Sequence, residues 1–308
     1  MENDQLIGLD WGTSSLRAYL LDAHGAIVEQ LDAPAGVQRI ERGQFLGAFE
    51  TLCAPWLRAR GDLPVVACGM IGSRQGWRET SFLPVPAGLD DLCGALTWLD
   101  DLAGRRFALI PGVCSEPNAT FSDVMRGEET LVFGALEAEG LREANLLMPG
   151  THSKWVRTER SRIRSFRTFM TGELFDVLSS HSILGRLFRR PEPEFDLPAF
   201  KLGLNRIGED PRALTSLLFT TRAEALLDRM QPPALPSYLS ALLIGAELSA
   251  ISHELRDGPP LLVVANPDLT WRYGLALDHF GWRWHAARGV PAARGMAAIA
   301  YRTGLLHV

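Results

Sequence analysis

The chain has 308 residues, of which 46% are hydrophobic and 22% charged, and a formal net charge of −5. This composition is typical of a globular protein of about two domains, and the negative charge predicts that nucleic acid is not a partner. We expect no membrane partner either, because the apolar runs fall short of the ~18–20 residues that a membrane-spanning helix needs.

The cysteines and the first residues indicate a cytoplasmic protein. Cys53, Cys68, Cys93 and Cys114 show no C-x-x-C spacing, so we expect reduced core thiols and no zinc site. The chain enters a strand-like segment directly, without the charged and apolar regions of a signal peptide.

A turn of small residues follows the first apolar segment. Residues 5–10 predict a strand that ends on Asp10, and Gly12, Thr13 and Ser14 precede a second strand. A carboxylate at a strand end can hold hydrated Mg²⁺, and the turn's N–H groups and hydroxyls can bind phosphate. The alternative is an ordinary hairpin turn, in which Asp10 bonds local amides and the glycine adopts a positive φ.

The first half continues as strands and helices. We expect an antiparallel meander over 5–10, 15–22 and 26–31, a helix over 42–58, a buried strand over 64–68 parallel to the first, a glycine-rich loop over 69–77, a strand over 107–110 and a helix over 127–139. Two acids and an arginine lie at the start of the last helix, where a carboxylate could take a proton from a substrate hydroxyl.

The second half opens like the first. Residues 145–148 predict a strand, and 149–154 form a small, hydroxyl-rich turn that runs into another strand. Strand–turn–strand therefore occurs twice, and we expect two related halves that each present a loop to one ligand.

The rest of the second half is mostly helical. We expect helices over 172–189, 209–229 (one or two), 236–255 and 268–280, a buried strand over 261–265 and a proline-rich surface loop over 191–198. Gly245 lies inside a helix, which costs roughly 1 kcal/mol relative to alanine. It therefore needs a close approach, either by a flat adenine ring or by a neighbouring helix.

Six motifs occur in one order along nearly the whole chain. They are DWGTSSLRA at 10–18, GMIGS at 69–73 with GW at 76–77, VMRGEET at 124–130, MPGTHSKWV at 148–156, RTFMTGEL at 167–174 and LLIGAE at 242–247. Together they resemble the 2-dehydro-3-deoxygalactonokinase family of the actin-like ATPase and sugar-kinase superfold. The MRGEET and MPGTHSKWV blocks are specific to that family, whereas D-x-G-T/S indicates only the superfold.

The resemblance implies an α/β fold of two ribonuclease-H-like domains, with the active site in an interdomain cleft that closes on substrate. We expect a domain over 1–144 with the first phosphate loop and the substrate. A second domain over 145–308 would carry the other phosphate loop and the adenosine site, and its last helix could pack back on the first domain. The implied reaction is ATP-dependent phosphorylation of the 6-hydroxyl of 2-dehydro-3-deoxy-D-galactonate, a step in galactonate breakdown. A homodimer is compatible with the sequence, although no exposed seam is identifiable.

The resemblance also implies roles for single residues, with ATP and Mg²⁺ as cofactors. The expected catalytic residues are Asp10 as the Mg²⁺ ligand, Glu128 as general base and Lys154 near the transferring phosphate. The expected nucleotide ligands are Gly12, Thr13, Ser14, Gly150, Thr151, Ser153, Gly245 and Asn266. The expected substrate ligands are Ser73, Arg74, Trp77, Arg126 and Glu129, with an arginine binding the substrate carboxylate through its planar fork.

Several of these residues have a simpler alternative. In the alternative, the two glutamates serve solely to complement the helix dipole, and each stabilises the helix by about 0.3–1 kcal/mol. Lys154 could lie in solvent, Trp77 could be a core or lid residue, and Arg17 could pair with an acid rather than approach phosphate. We expect Glu173 to cap the helix that starts beside it.

One segment departs from the family pattern. A glycine-bearing loop usually follows the late strand of such kinases, but this chain has Ala265-Asn266-Pro267-Asp268, and Pro267 lacks a backbone N–H. This difference puts nucleotide affinity or base preference in question. Two alternatives to the kinase assignment therefore stay open: a kinase for a related 2-keto-3-deoxy acid or ketose, and a nucleotide-binding regulator without turnover.

Overall fold

The first three strands form the predicted antiparallel meander: β1 (Gln5–Trp11), β2 (Leu16–Asp22) and β3 (Ile27–Ala33). β1 is apolar on both sides. Ile7 and Leu9 pack against a first helix, whereas Leu6 faces the last helix of the chain. The strand is therefore buried on both faces, as expected for the centre of an α/β sheet.

The computed structural model describes residues 5–99, 105–188, 194–255 and 258–307. The remaining strands are β4 (Val65–Cys68), β5 (Phe82–Pro84), β6 (Ala87–Gly88), β7 (Thr97–Trp98), β8 (Phe107–Leu109), β9 (Gly112–Cys114), β10 (Val124–Met125), β11 (Ala144–Met148), β12 (Ser153–Glu159), β13 (Arg162–Phe169), β14 (Leu261–Val263) and β15 (Trp284–Ala286). The helices are α1 (Phe45–Arg60), α2 (Leu89–Gly94), α3 (Glu128–Glu139), α4 (Thr171–His181), α5 (Leu197–Glu209), α6 (Leu214–Leu226), α7 (Leu235–Leu255), α8 (Pro267–His279) and α9 (Pro291–Arg302).

Two six-stranded sheets share the order of five strands, and their sixth strands, β7 and β6, lie at opposite ends of that order. The first runs β3-β2-β1-β4-β8-β7, and the other runs β15-β14-β11-β12-β13-β6. In the first sheet, β3, β2 and β1 are followed by β4 and β8, which run parallel to β1. In the second sheet, β13, β12 and β11 are followed by β14 and β15, which run parallel to β11. This repetition supports two related halves. A smaller sheet has the order β10-β9-β5.

The chain forms two compact units. Unit 1 comprises residues 1–144, 156–167 and 287–308, and unit 2 comprises 145–155 and 168–286. This division differs from a single boundary after residue 144, because parts of β12 and β13 and the whole of α9 belong to unit 1. Met296 and Ile299 of α9 pack in the unit 1 core with Leu6 and Tyr19.

Unit 2 differs from the predicted pattern around its helices. The helix predicted over 172–189 is shorter, because α4 ends at His181. α5 was not predicted, and it begins inside the segment expected to be a proline-rich loop, of which residues 191–193 lie outside the described part of the chain. Asp196 starts α5 by accepting a hydrogen bond from the Ala199 N–H, a capping signal that the proline-rich composition concealed.

α7 is more apolar than the sequence analysis allowed. The 20-residue segment Pro232–Ile251 reaches a mean hydropathy of 1.4, enough to cross a membrane by length and composition alone. However, 83% of its most apolar window is buried inside the protein. Burial against α5, α6 and α8 accounts for this composition.

Candidate active site

The turn after β1 is exposed, and backbone hydrogen bonds and close packing beneath it fix its position. Gly12 donates its N–H to Ser15 O at 2.9 Å, and its carbonyl accepts from the Val37 N–H at 3.0 Å. Gly36 packs so closely beneath the turn that a Cβ there would lie 2.3 Å from the Ser14 backbone. Thr13 and Ser14 remain exposed. The expected phosphate-binding groups are therefore accessible on a fixed loop.

Asp10 lies at the carboxyl end of β1, opposite Arg17 of β2 and Cys68 of β4. Its side chain is 25% exposed, and Oδ2 lies 4.0 Å from Arg17 Nη1. Arg17 also pairs with Asp32 at 3.3 Å, so the predicted pairing of Arg17 with an acid is confirmed. Burial raises the pKa of the Asp10 carboxyl, and the positive charge of Arg17 lowers it.

The start of α3 lies beside the ends of β1 and β4. Gly127 (φ +107°) approaches Gly69 so closely that a Cβ on Gly127 would lie 3.0 Å from Gly69 Cα, and a Cβ on Gly69 would lie 2.8 Å from Trp11 O. The pKa of Cys68 is raised well above its usual value, mainly by burial and further by the charges of three carboxylates. The three carboxylates are those of Asp10, Glu129 and Glu128.

The two glutamates of α3 have different surroundings. Glu128 is half-buried at the first helical position, and its Oε2 accepts from the Arg126 N–H at 3.0 Å. Glu129 is fully buried and accepts from the Gly127 N–H and the Thr130 hydroxyl at 2.7 and 3.0 Å. Burial, followed by the charge of Glu128, raises the pKa of Glu129 to about 8. Only Glu128 is therefore exposed enough to meet a substrate.

The residues expected near the substrate are not equivalent. Trp77 stacks on Phe45 and packs against the unit 1 core, which favours its core alternative. Ser73 is half-buried and its hydroxyl accepts from the Gln75 N–H at 3.3 Å. The loop that carries it is tight, because a Cβ on Gly76 would lie 2.1 Å from a backbone oxygen.

The two candidate arginines also differ. Arg126 donates to the hydroxyl and carbonyl of Thr80, and its guanidinium lies 4.1 Å from the centre of the Phe82 ring. Arg74 is 87% exposed and pairs with Glu79 at 2.9 Å. A guanidinium already committed to two protein oxygens has fewer donors left for a carboxylate, so Arg74 is the more available of the two.

In unit 2, the second turn packs against the start of α4. Glu173 donates its N–H to Thr151 O at 3.0 Å, and a Cβ on Gly172 would lie 2.3 Å from Gly150 O. Gly150 itself has open space where a Cβ would be, and Thr151 is exposed. The turn is thus fixed on one side and open on the other. Glu173 pairs with His152 at 2.5 Å and makes no side-chain cap of α4, contrary to expectation.

The strand after this turn places two candidates in the core. The Ser153 hydroxyl is fully buried and donates to Glu247 Oε1 at 2.6 Å, so it is not exposed to a ligand as the turn residues are. Lys154 is also buried and its Nζ donates to the Thr168 hydroxyl at 2.8 Å. The alternative in which Lys154 lies in solvent is therefore wrong.

The two residues expected at the adenosine have structural roles as well. A Cβ on Gly245 would lie 2.3 Å from Ile207 Cγ2 of α5, so its close approach is to a neighbouring helix and not to an adenine ring. Asn266 caps α8, accepting from the Leu269 N–H at 2.9 Å, and Pro267 occupies the first helical turn. A proline is favourable there because that N–H has no helical partner.

A cavity that is partly open to solvent lies beside these elements. It is bordered by the second turn and by α4, α7 and α8, and its lining includes Gly150, Gly172, Leu243, Leu269, Arg272 and Tyr273. Sequence reasoning gave no role to Arg272 or Tyr273 of α8. The available signal was the position of Arg272 and Tyr273 about two turns after the cap of α8.

Comparison with known proteins agrees with this geometry. The family model for 2-keto-3-deoxy-galactonokinase matches residues 10–299. The Escherichia coli (strain K12) 2-dehydro-3-deoxygalactonokinase is 34% identical over 297 residues, covering 96% of this chain and 97% of that protein. DgoK1 of Rhizobium meliloti (strain 1021), provisionally named for the same activity, is 34% identical over 294 residues, 95% of each chain.

A solved structure has the same fold along its length. The crystal structure of a Sinorhizobium meliloti protein, provisionally assigned as a 2-dehydro-3-deoxygalactonokinase, gives a TM-score of 0.86 at 32% identity and covers 96% of this chain and 98% of that one. Component A of the (R)-2-hydroxyglutaryl-CoA dehydratase of Acidaminococcus fermentans, at 10% identity and a TM-score of 0.54, shares the fold alone. With a whole-length family match and two fixed, exposed turns after strands β1 and β11, the chain belongs to the 2-keto-3-deoxy-galactonokinase family.

Proposed function

We propose that the protein is an ATP-dependent kinase that phosphorylates the 6-hydroxyl of 2-dehydro-3-deoxy-D-galactonate in galactonate catabolism. The observation that carries the proposal is the unit 1 site, where the Asp10 carboxylate and the exposed turn at 12–14 lie beside the start of α3. Family membership supports the use of ATP and a sugar-acid substrate.

Asp10 is proposed as the Mg²⁺ ligand, and the residues present suit this ion. No group of three or more His, Cys, Asp or Glu side chains that could hold a metal occurs among the described residues. Mg²⁺ at a kinase site commonly keeps several waters and binds one or two carboxylates together with substrate phosphates. The partly exposed carboxylate of Asp10 is enough for such a site. When bound, the ion would neutralise charge on the transferring phosphate.

Glu128 is proposed as the general base. It is the more exposed of the two acids at the start of α3, and its Oε2 is held by the Arg126 N–H. Phosphoryl transfer through a loose transition state depends mainly on positioning and electrostatics. The carboxylate would therefore orient the substrate hydroxyl and accept its proton late in the reaction.

Unit 2 is proposed to bind the nucleotide. The second turn offers backbone N–H groups around Gly150 and Thr151 to phosphate, and the cavity beside it offers apolar walls from α7 and α8 to the adenosine. Lys154 remains a candidate for the transferring phosphate. The exposed turn at 12–14 of unit 1 is likewise proposed to bind phosphate.

On the substrate side, Arg74 is proposed to bind the substrate carboxylate. Arg126 would instead hold the loop at Thr80, and Ser73 would present its hydroxyl beside Arg74. Glu129 and Trp77 are then supports of this site from the core of unit 1.

The regulator alternative loses the observation that motivated it. It rested on Pro267 in the loop after β14, but Pro267 lies in the first turn of α8 behind the Asn266 cap, where a proline is favourable. A cytoplasmic location is also proposed, since all four cysteines are free thiols and disulfides are rare in that compartment. The expectations of no nucleic-acid partner, no membrane partner and a possible homodimer stay predictions.

An ADP-release assay over a panel of acceptors tests the proposal. The panel contains 2-dehydro-3-deoxy-D-galactonate, its C4 epimer and two ketoses, and the phosphorylated carbon is located by NMR. We expect the largest kcat/KM for the galactonate derivative, with phosphate on C6. Nucleotide binding without turnover on any acceptor would favour the regulator, and a preference for another acceptor would favour the alternative kinase.

A further inference from the structure

A buried carboxylate of α7, that of Glu247, lies in the unit 2 core. Glu247 is 2% exposed, in a helix whose neighbouring buried side chains, such as Leu243, Ile244 and Leu248, are apolar. A buried carboxylate is costly unless it is paired or fully hydrogen-bonded. The hydrogen bonds that meet this requirement at Glu247 come from uncharged donors.

Four donors from three other elements converge on this carboxylate. Oε1 accepts from the Ser153 hydroxyl at 2.6 Å and from Trp155 Nε1 at 2.8 Å, both in β12. Oε2 accepts from the Tyr273 hydroxyl of α8 at 2.8 Å and from the Thr171 hydroxyl of α4. An ionised carboxylate has about four acceptor sites, so all of them are used. Burial raises the pKa of Glu247, and these four hydrogen bonds lower it.

The donors connect Glu247 to the cavity. Thr171 and Tyr273, which share Oε2, both line it. Ser153, on Oε1, directly follows the second turn, and Thr171 precedes Gly172, which packs on Gly150. One side chain therefore fixes the direction of two cavity hydroxyls and connects the cavity walls to the turn.

We propose that Glu247 is a positioning residue for nucleotide binding, acting through the hydroxyls of Thr171 and Tyr273 and through the strand that follows the second turn. This inference depends on the proposed use of the unit 2 cavity for ATP. Glu247 does not itself border the cavity, so its effect is transmitted by the side chains that it holds.

Glu247→Gln tests this role with almost no change in volume. The indole of Trp155 can only donate, so the amide oxygen must face β12 and the amide nitrogen must face Thr171 and Tyr273. Those hydroxyls must then accept, and their hydrogens turn elsewhere. We expect the KM for ATP to rise about tenfold or more, with the KM for the sugar acid unchanged within about twofold.

Glu224→Gln is the matched control. Glu224 is also a buried acid of unit 2, paired with Arg206 at 2.9 Å, but it lies in α6 and does not line the cavity. Removing it should lower the melting temperature without changing the KM for ATP. Equal increases in the KM for ATP in both variants would show general destabilisation and overturn the inference.

A double-mutant cycle separates positioning from direct binding. Tyr273→Phe alone should raise the KM for ATP. In the double variant with Glu247→Gln, the fold-increase in the KM for ATP should be smaller than the product of the two single fold-increases. Independent effects would mean that Glu247 does not act through Tyr273. If Glu247→Gln does not fold, Thr171→Val and Tyr273→Phe are measured instead, and an unchanged KM for ATP in both overturns the inference.

Failure of the proposed function gives a different result. Titration of the wild-type protein with ATP by calorimetry, in parallel with the turnover assay, establishes whether nucleotide binds at all. A wild-type protein that neither binds ATP nor releases ADP contradicts the proposed function. A wild-type kinase whose affinity for ATP is the same in Glu247→Gln contradicts only the role of Glu247.

Discussion

Three carboxylates lie around the end of β4, and their surroundings separate their roles. Asp10 is partly exposed and balanced by Arg17, Glu128 is half-buried at a helix start, and Glu129 is fully enclosed. Acids in one small region with different solvation have different proton affinities. This difference provides two predictions for single residues.

Asp10→Asn should lower kcat by at least about a hundredfold, because the amide does not supply the charge that holds a metal cation. The fold should be unaffected, since the lost ion pair with Arg17 is long and half-exposed, and such pairs contribute at most about 1 kcal/mol. Steady-state kinetics and thermal melting measure the two effects.

The control for this variant is Glu41→Gln, which changes an exposed acid in the loop before α1. It should retain wild-type kcat. An active Asp10→Asn protein would contradict the metal-binding role.

Glu129 makes stability depend on pH. Its pKa in the folded protein is about 8, above the ~4.3 of an exposed glutamate, so between these values the folded state binds more protons than the unfolded state. The stabilisation from this group is complete below the lower value and is lost as pH rises through about 8. The melting temperature of Glu129→Gln should therefore fall less between pH 6 and pH 9 than that of the wild-type protein. Parallel curves for the two proteins would refute the assignment.

At the scale of elements, the start of α3 depends on how α3 crosses α9. A Cβ on Gly295 of α9 would lie 2.1 Å from Thr130 O, and one on Gly134 of α3 would lie 1.8 Å from Pro291 O. The backbones of the two helices thus touch through glycine. Because Glu128 and Glu129 begin α3, the crossing also sets the position of the proposed base.

Gly295→Ala should destabilise the protein by about 1–3 kcal/mol, the usual cost of overpacking, and should lower kcat as well. Gly47→Ala in α1 is the matched control, because its Cβ would meet only Gln44 Oε1 at 3.9 Å. That change should stabilise by up to about 1 kcal/mol through helix propensity. Urea unfolding measures both, and the same sign for both variants would contradict the packing argument.

Elements with a strong period or a cap were predictable. β1 to β4, α1, α3, α7 and α8 appear where apolar periodicity placed them, because each buries a face large enough to dominate its local sequence. The elements that were missed include two- and three-residue strands such as β6 and β10, the longer strand β13, and α5, whose start is rich in proline. Such short strands exist only through pairing partners that are distant in sequence.

At the scale of the whole molecule, the fold should be independent of metal. The described ranges contain no cluster of three metal-ligating side chains, and both units have continuous apolar cores. Chelation with EDTA should therefore abolish turnover and leave the melting temperature unchanged within about 1 °C, because nothing structural is lost. Added Mg²⁺ should restore turnover fully. Unfolding on chelation would reveal a structural metal instead.

The sequence by itself determined the family, the two strand–turn–strand segments and the acids at the start of α3, because these are contiguous motifs whose chemistry depends on local order. Only the tertiary structure decided which side chains are available to ligands. Ser153 and Lys154 are neighbours in a motif but are buried with different partners, Gly245 serves a helix crossing, and Glu247 gathers donors from three other elements. Burial and hydrogen-bond partners arise from contacts between segments far apart in the chain, which the local pattern of residues does not encode.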